Sequence, residues 1–184
     1  MVSDNNPAEW TQIDNTPGKD TASIDELRAA LEDASKLWLA HDGLWFLEWE
    51  KRHGMEEAMD ADSAAWHRFA KLEAKRIMRR IGIEPGGGID ALAKCLPHRL
   101  YANICRFTLH KRGENELKIR MVDCRVQDAR NRQGMPAFPC KQVAMYEFPV
   151  FAKVVDERIE TECIQCPPDE LSEGGWCEWL FRMS

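Results

Sequence analysis

The sequence predicts an α+β fold: N-terminal helices packed on an antiparallel sheet of about four strands, with one further helix between the hairpins. Three observations carry this. Residues 55–81 repeat apolar side chains at helical spacing, and from about Asn103 the pattern changes to strict alternation, the period of a strand. The strand-like segments also come in pairs joined by short turns, and helices segregated from such pairs are the mark of an antiparallel α+β domain.

The elements follow in order. Residues 1–21 are polar, with Pro7, Pro17 and Gly18, and read as a tail. At Ser23 a hydroxyl three residues before Glu26 forms a capping box, so a helix starts there. Leu27, Leu31, Ala34, Trp38 and His41 continue it into the aromatic stretch Leu44–Glu50, and Gly54 ends the helix or helix pair. The next helix runs from about Met55 to Ile81 on a stripe of Ala58, Asp62, Ala65, Trp66, Phe69, Leu72 and Ile77, closed by Gly82. Asp90 to Cys95 gives one short helix more, stopped by Pro97. A hairpin follows, with Asn103–His110 and Leu117, Ile119, Met121 alternating about the turn residues 111–115. Residues 126–134 are polar and close at Gly134. Pro139 to about Val155 reads as a helix that Pro149 would kink. Strands over 158–165 and 176–183 end the chain. Residues 22–184 thus read as a single domain, helical over 22–98 and sheet with a cysteine cluster over 99–184.

At 184 residues the chain is long enough to bury a core without cross-links. A net charge of −6 argues against a nucleic-acid surface, whose affinity comes from Lys and Arg neutralising phosphates. The run Lys75–Arg80, interleaved with Ile77 and Met78, reads as a solvated helix face. No basic flank precedes an apolar run and no long apolar stretch exists, so neither export nor a membrane partner is indicated, and a cytoplasmic setting is expected.

In a reducing compartment, clustered cysteines are more often ligands or nucleophiles than disulfides. Five of the seven lie from Cys124 onward: Cys124, Cys140, Cys163, Cys166 and Cys177. The Cys163-x2-Cys166 pair, with Cys177 returning on the next strand and Cys124 or Cys140 as a fourth ligand, suggests a sulfur-rich centre: zinc or an iron–sulfur cluster. The bland alternative is reduced thiols filling sheet positions. Cys140, at the start of a helix, is also a candidate nucleophile.

A second group lies along His41, Asp42, Trp45, Glu48 and Trp49, where steps of three and four residues let a carboxylate and an indole face one cavity; here the alternative is that the tryptophans are core, and Trp66 is a further binding candidate. A third is Arg125, Arg130 and Arg132 with Gln127, whose guanidinium forks suit a carboxylate, or the protein's own acids. No phosphate-loop, dinucleotide, zinc-protease or nucleophile-elbow motif occurs. The expected partner is a small organic molecule, with a carboxylate among the candidates; a homo-oligomer is a further candidate assembly.

The stretches His41–Phe46, Trp66, Cys124–Gln127 with Arg130, Phe138–Lys141, Glu147 with Phe151–Ala152, Cys163–Asp169 and Trp176–Trp179 resemble a prokaryotic domain-of-unknown-function family. It is related to the L-2-amino-thiazoline-4-carboxylic acid hydrolase-like proteins and, more distantly, to vinyl-reductase-type small-molecule-binding domains. The resemblance implies hydrolysis of a small cyclic C–N substrate. Cys140 or a metal-bound water would be the nucleophile, Glu147 or Glu48 the base, and Arg125 or Arg130 the holder of the substrate carboxylate. Beside it stand a metal-binding protein with an adjacent small-molecule pocket, and an interaction module with a structural zinc.

Overall fold

The computed structural model describes residues 22–183; the expected tail lies outside the described residues. Helix α1 spans Ile24–His53 and is continuous through Gly43, one helix rather than a pair. Its start carries the expected capping box: Ser23 Oγ accepts from the Glu26 amide, while the Glu26 carboxylate accepts from the Ser23 amide at 2.7 Å. Ser23→Ala should therefore cost about 1 kcal/mol of helix stability, read as a small drop in urea midpoint at unchanged slope.

Gly54, at φ +89°, lets the chain reverse without strain into α2, Met55–Ile81. Ala58, Met59, Ala70, Ala74, Ile77 and Met78 make the buried face of α2, so the basic run points Lys75, Arg76, Arg79 and Arg80 to water as its spacing requires. The short α3, Gly88–Cys95, and two 3₁₀ turns, Leu96–His98 and Leu100–Asn103, lead to the sheet.

Strands β1 (Arg106–Arg112), β2 (Glu116–Asp123), β3 (Ile159–Gln165) and β4 (Cys177–Met183) form one antiparallel sheet in the order β1-β2-β4-β3. The first strand starts later than its alternation suggested, because Leu100–Asn103 is spent on the second 3₁₀ turn. Between the hairpins lie α4, Arg125–Arg132, and α5, Lys141–Val155, which carries Pro149 inside it.

Alternation along the strands fixes two different faces. Leu117, Ile119, Met121, Ile159, Cys177, Trp179 and Phe181 are buried beneath the helices. Trp179 stacks on Phe148 of α5 with ring centroids 4.9 Å apart, worth about 0.5–1.5 kcal/mol beyond the area buried. On the other face Glu178 pairs with Lys118 at 3.0 Å, and Arg182 bridges Glu116 at 3.2 Å and Glu162.

The core is tied by one buried charge group. Arg99, between the two 3₁₀ turns, has no exposed surface. Its Nε donates to Glu73 of α2 at 2.8 Å, its second terminal nitrogen lies 2.8 Å from Glu147 of α5, and its first donates to the Tyr101 hydroxyl at 2.6 Å. The guanidinium carbon also sits 4.3 Å from the Tyr101 ring centroid and 4.7 Å from that of Phe151.

Candidate functional site

A cavity of about 490 Å³ opens between α1, α2, α4 and α5, with the ends of β2, β3 and β4 behind it. It is large enough for a drug-sized organic molecule. Each wall follows from helix geometry. Along α1, Trp38, Leu39, Asp42, Gly43, Phe46 and Leu47 face inward because steps of four residues return the same side of a helix to the cavity. Trp45 falls off that side. It is 63% exposed, against both expectations for it, and only His41 stacks edge-on to it, at 6.5 Å. Neither His41 nor Glu48 lines the cavity, and Glu48 accepts from Arg52 at 3.3 Å on the outer surface.

From α2 come Asp62 and Trp66, the latter edge-on to Trp38 at 6.0 Å. The Asp62 position was legible only as part of the apolar stripe; an acid among apolar neighbours at helical spacing was the signal. Asp42, Asp62 and Glu147 share the same electrostatic neighbourhood. Burial, then the charges of Asp42 and Glu147, push the Asp62 carboxyl up to about 7. Burial raises Asp42, and it raises Glu147 although Arg99 partly holds that group down. Glu147 has its cation; among the described residues Asp42 and Asp62 form no ion pair.

The arginines divide. Arg130 is buried and engaged: its Nε donates to the Pro136 carbonyl at 2.9 Å, a terminal nitrogen lies 3.6 Å from Glu50, and its guanidinium covers Phe138. Arg125 and Arg132 are exposed at the cavity rim. Gln127, fully enclosed, donates to the Phe138 carbonyl and accepts from the Phe138 amide, both at 2.9 Å, which clamps the turn before Cys140.

Of the cysteines, Cys105, Cys124, Cys140, Cys166 and Cys177 line the cavity, and Cys163 does not. A bulge turns Cys166 into the cavity. Cys163 pairs with Trp179 and Gln165 with Glu178, the residue between them skipped, so Gln165 takes the outer face and Cys166 turns inward to full burial. Cys140 caps α5, and its sulfur lies 3.6 Å from that of Cys166. Burial pushes Cys124 up to about 12 and Cys163 up to about 11. The hydrogen bond from Cys166 draws Cys140 down against its burial, while the same partnership, reinforced by Cys177, raises Cys166.

The expectation of a metal-binding protein is overturned. Among the described residues no group of three or more His, Cys, Asp or Glu side chains is arranged to hold a metal ion. The C-x2-C pair lies on a bulged strand instead of a tight knuckle, and Cys163, paired with Trp179, does not border the cavity that Cys124, Cys140, Cys166 and Cys177 line. No histidine lines the cavity either, so no imidazole stands beside Cys140 as a base for hydrolysis.

Fold and cavity define an α+β protein with an internal, largely apolar chamber between its helices and its sheet. The chain belongs to a family of unknown function, DUF6125, whose model matches residues 20–183. No curated protein matches the sequence. No helix among the described residues is long and apolar enough to cross a membrane.

Proposed function

We propose that the protein binds a small organic molecule whose apolar body fills the cavity and whose protonated basic nitrogen lies against Asp42 and Asp62. One observation carries this: two half-buried carboxyls that form no ion pair among the described residues line a chamber walled by Trp38, Trp66, Phe46 and Phe138. Burying a carboxylate without a partner is unfavourable, and a bound ammonium would relieve it. The aromatic faces would add cation–π attraction.

A second reading has one observation in its favour: Arg125, exposed at the rim and forming no ion pair among the described residues, is free to meet a ligand carboxylate. The two readings join in a ligand with a basic nitrogen at depth and an acid at the mouth. Kinship with the thiazoline-carboxylate hydrolase-like proteins, which belongs to this proposal, would fit a ligand of that kind.

The test is a calorimetric titration at pH 8 with phenethylamine, 2-phenylethanol and 3-phenylpropionate, which share a body and differ in charge. The amine is expected to bind at least about tenfold tighter than the alcohol, a difference of about 1.4 kcal/mol. Equal affinities, or no binding of any of the three, would overturn the proposal. A preference for the propionate that Arg125→Ala removes would establish the rim reading in its place.

A further inference from the structure

The paired thiols on the cavity wall have a use that ligand binding leaves untouched. Cys140 at the N-cap of α5 and Cys166 just after β3 come from different elements and are each fixed by their own scaffold. Gln127, held at both ends by Phe138, donates from Nε2 to the Cys140 sulfur at 3.5 Å. The turn after Cys166 is fastened to the start of α5. The Lys141 amide donates to the Pro167 carbonyl at 2.9 Å, Lys141 Nζ lies 2.7 Å from Asp169, and Asp169 accepts from the Cys166 amide at 3.2 Å. The two sulfurs are thereby held face to face at 3.6 Å, and both border the chamber.

We propose that Cys140 and Cys166 are a working dithiol that reduces small organic disulfides admitted to the cavity, Cys140 attacking and Cys166 resolving. Cys140, at the N-terminus of a helix of 15 residues, half-buried at the cavity wall, accepting a hydrogen bond from Gln127 and within hydrogen-bond distance of the Cys166 thiol, is the sulfur whose anion is favoured. In the first step its thiolate attacks one sulfur of the disulfide R–S–S–R. That S–S bond breaks, R–S⁻ leaves and takes up the proton that Cys140 released, and a mixed disulfide Cys140–S–S–R remains.

In the second step Cys166 loses its proton and attacks the Cys140 sulfur. The bond to S–R breaks, a second R–SH departs, and a Cys140–Cys166 disulfide closes. The net change is R–S–S–R plus two thiols to two R–SH plus one protein disulfide: two electrons pass from the protein to the substrate. Closing the bond moves the sulfurs together by about 1.5 Å, within side-chain rotation. The order of attack follows from placement, because Cys140 stands half-exposed at the N-terminus of α5 while Cys166 is fully buried behind it and meets only the Cys140 sulfur once Cys140 is capped.

The inference rests on the cavity and its thiols, not on the amine reading, and the two fail separately. The test treats the reduced full-length protein with one equivalent of 4,4′-dithiodipyridine. Two thiopyridones should be released per protein, no probe should remain attached, and peptide mass mapping should find Cys140 joined to Cys166. Cys166→Ser should release one thiopyridone and keep the probe on Cys140; Cys140→Ser should slow release at least tenfold. Probe retained on the wild-type protein, a disulfide mapped to any other pair, or a rate indifferent to Cys140→Ser would overturn the proposal. The wild-type mapping needs no variant, so a substitution that impairs folding leaves the test intact.

Discussion

Arg99→Ala should lower stability by about 3–5 kcal/mol, the range seen when one member of a buried charge group is removed. The side chain has no exposed surface and meets Glu73 and Glu147 at 2.8 Å each. Taking it away leaves both carboxylates enclosed without a cation and opens a void between the rings of Tyr101, Phe148 and Phe151. The loss is an unpaired-charge effect first. It follows that Arg99→Ala is rescued in part by acid, which neutralises the carboxylates, and that Arg99→Met with Glu73→Gln and Glu147→Gln recovers most of the stability. Urea denaturation of the wild type, Arg99→Ala and the triple variant at pH 7 and pH 5 measures this. A deficit in Arg99→Ala that is equal at both pH values, or a triple variant no better than the single, would show that packing and not charge holds this point of the core.

What the sequence revealed and what it hid divide by the range of the interaction. The capping box at Ser23 and the alternation of β2 and β4 are local and were read with the correct faces, whereas the stripe that marks α2 gave the helix but only part of its buried face: Ala58 and Ile77 are buried, Ala65 and Leu72 are exposed, and Ala70, Ala74 and Met78 fill the core instead. The polar segment 126–134 had no apolar stripe, so α4 was invisible; its fold is set by Gln127 and Arg130 bonding to the Pro136–Phe138 turn. Arg99 gave no signal at all, because what defines it is the arrival of α2 and α5 from either side.

The site followed the same division. Asp42, Trp66, Arg125, Cys124, Cys140, Glu147, Cys166 and Cys177 do border one cavity. Helix phase placed His41, Trp45 and Glu48 outside it, Cys163 packs beside Trp179 without reaching it, and the bulge after Cys163 turns Cys166 towards it, a one-residue irregularity that spacing alone does not encode. Asp62 was read as one of a stripe, and burial with its acidic neighbours lifts its carboxyl to about 7.

Asp62→Asn should therefore act on two observables in opposite directions. In the wild-type protein the Asp62 carboxyl ionises at about 7, raised by burial first and by Asp42 and Glu147 next. In the unfolded chain the same group ionises near 4. Between these values the folded state holds a proton that the unfolded state has released. Stability is then fullest below about pH 4, falls as pH rises towards 7, and levels off above it. The full difference would be about 4 kcal/mol, and partial hydration of the site reduces it to ~2 kcal/mol. Asp62→Asn removes that penalty, so at pH 8 the variant should be the more stable protein, with a shallower slope of stability between pH 5 and pH 7; Asp42, also raised by burial, keeps the slope from vanishing. Phenethylamine binding should move the other way. An ammonium favours the ionised carboxylate, so wild-type affinity rises with pH up to about 7, and the variant loses about 30-fold at pH 8, about 2 kcal/mol. Thermal melts across pH and calorimetry on both proteins supply the two readings. A variant with unchanged stability and unchanged amine affinity would remove Asp62 from the site. One that is stabilised yet binds the amine as before would leave the buried acid a feature of the fold and send the ligand's charge elsewhere in the cavity.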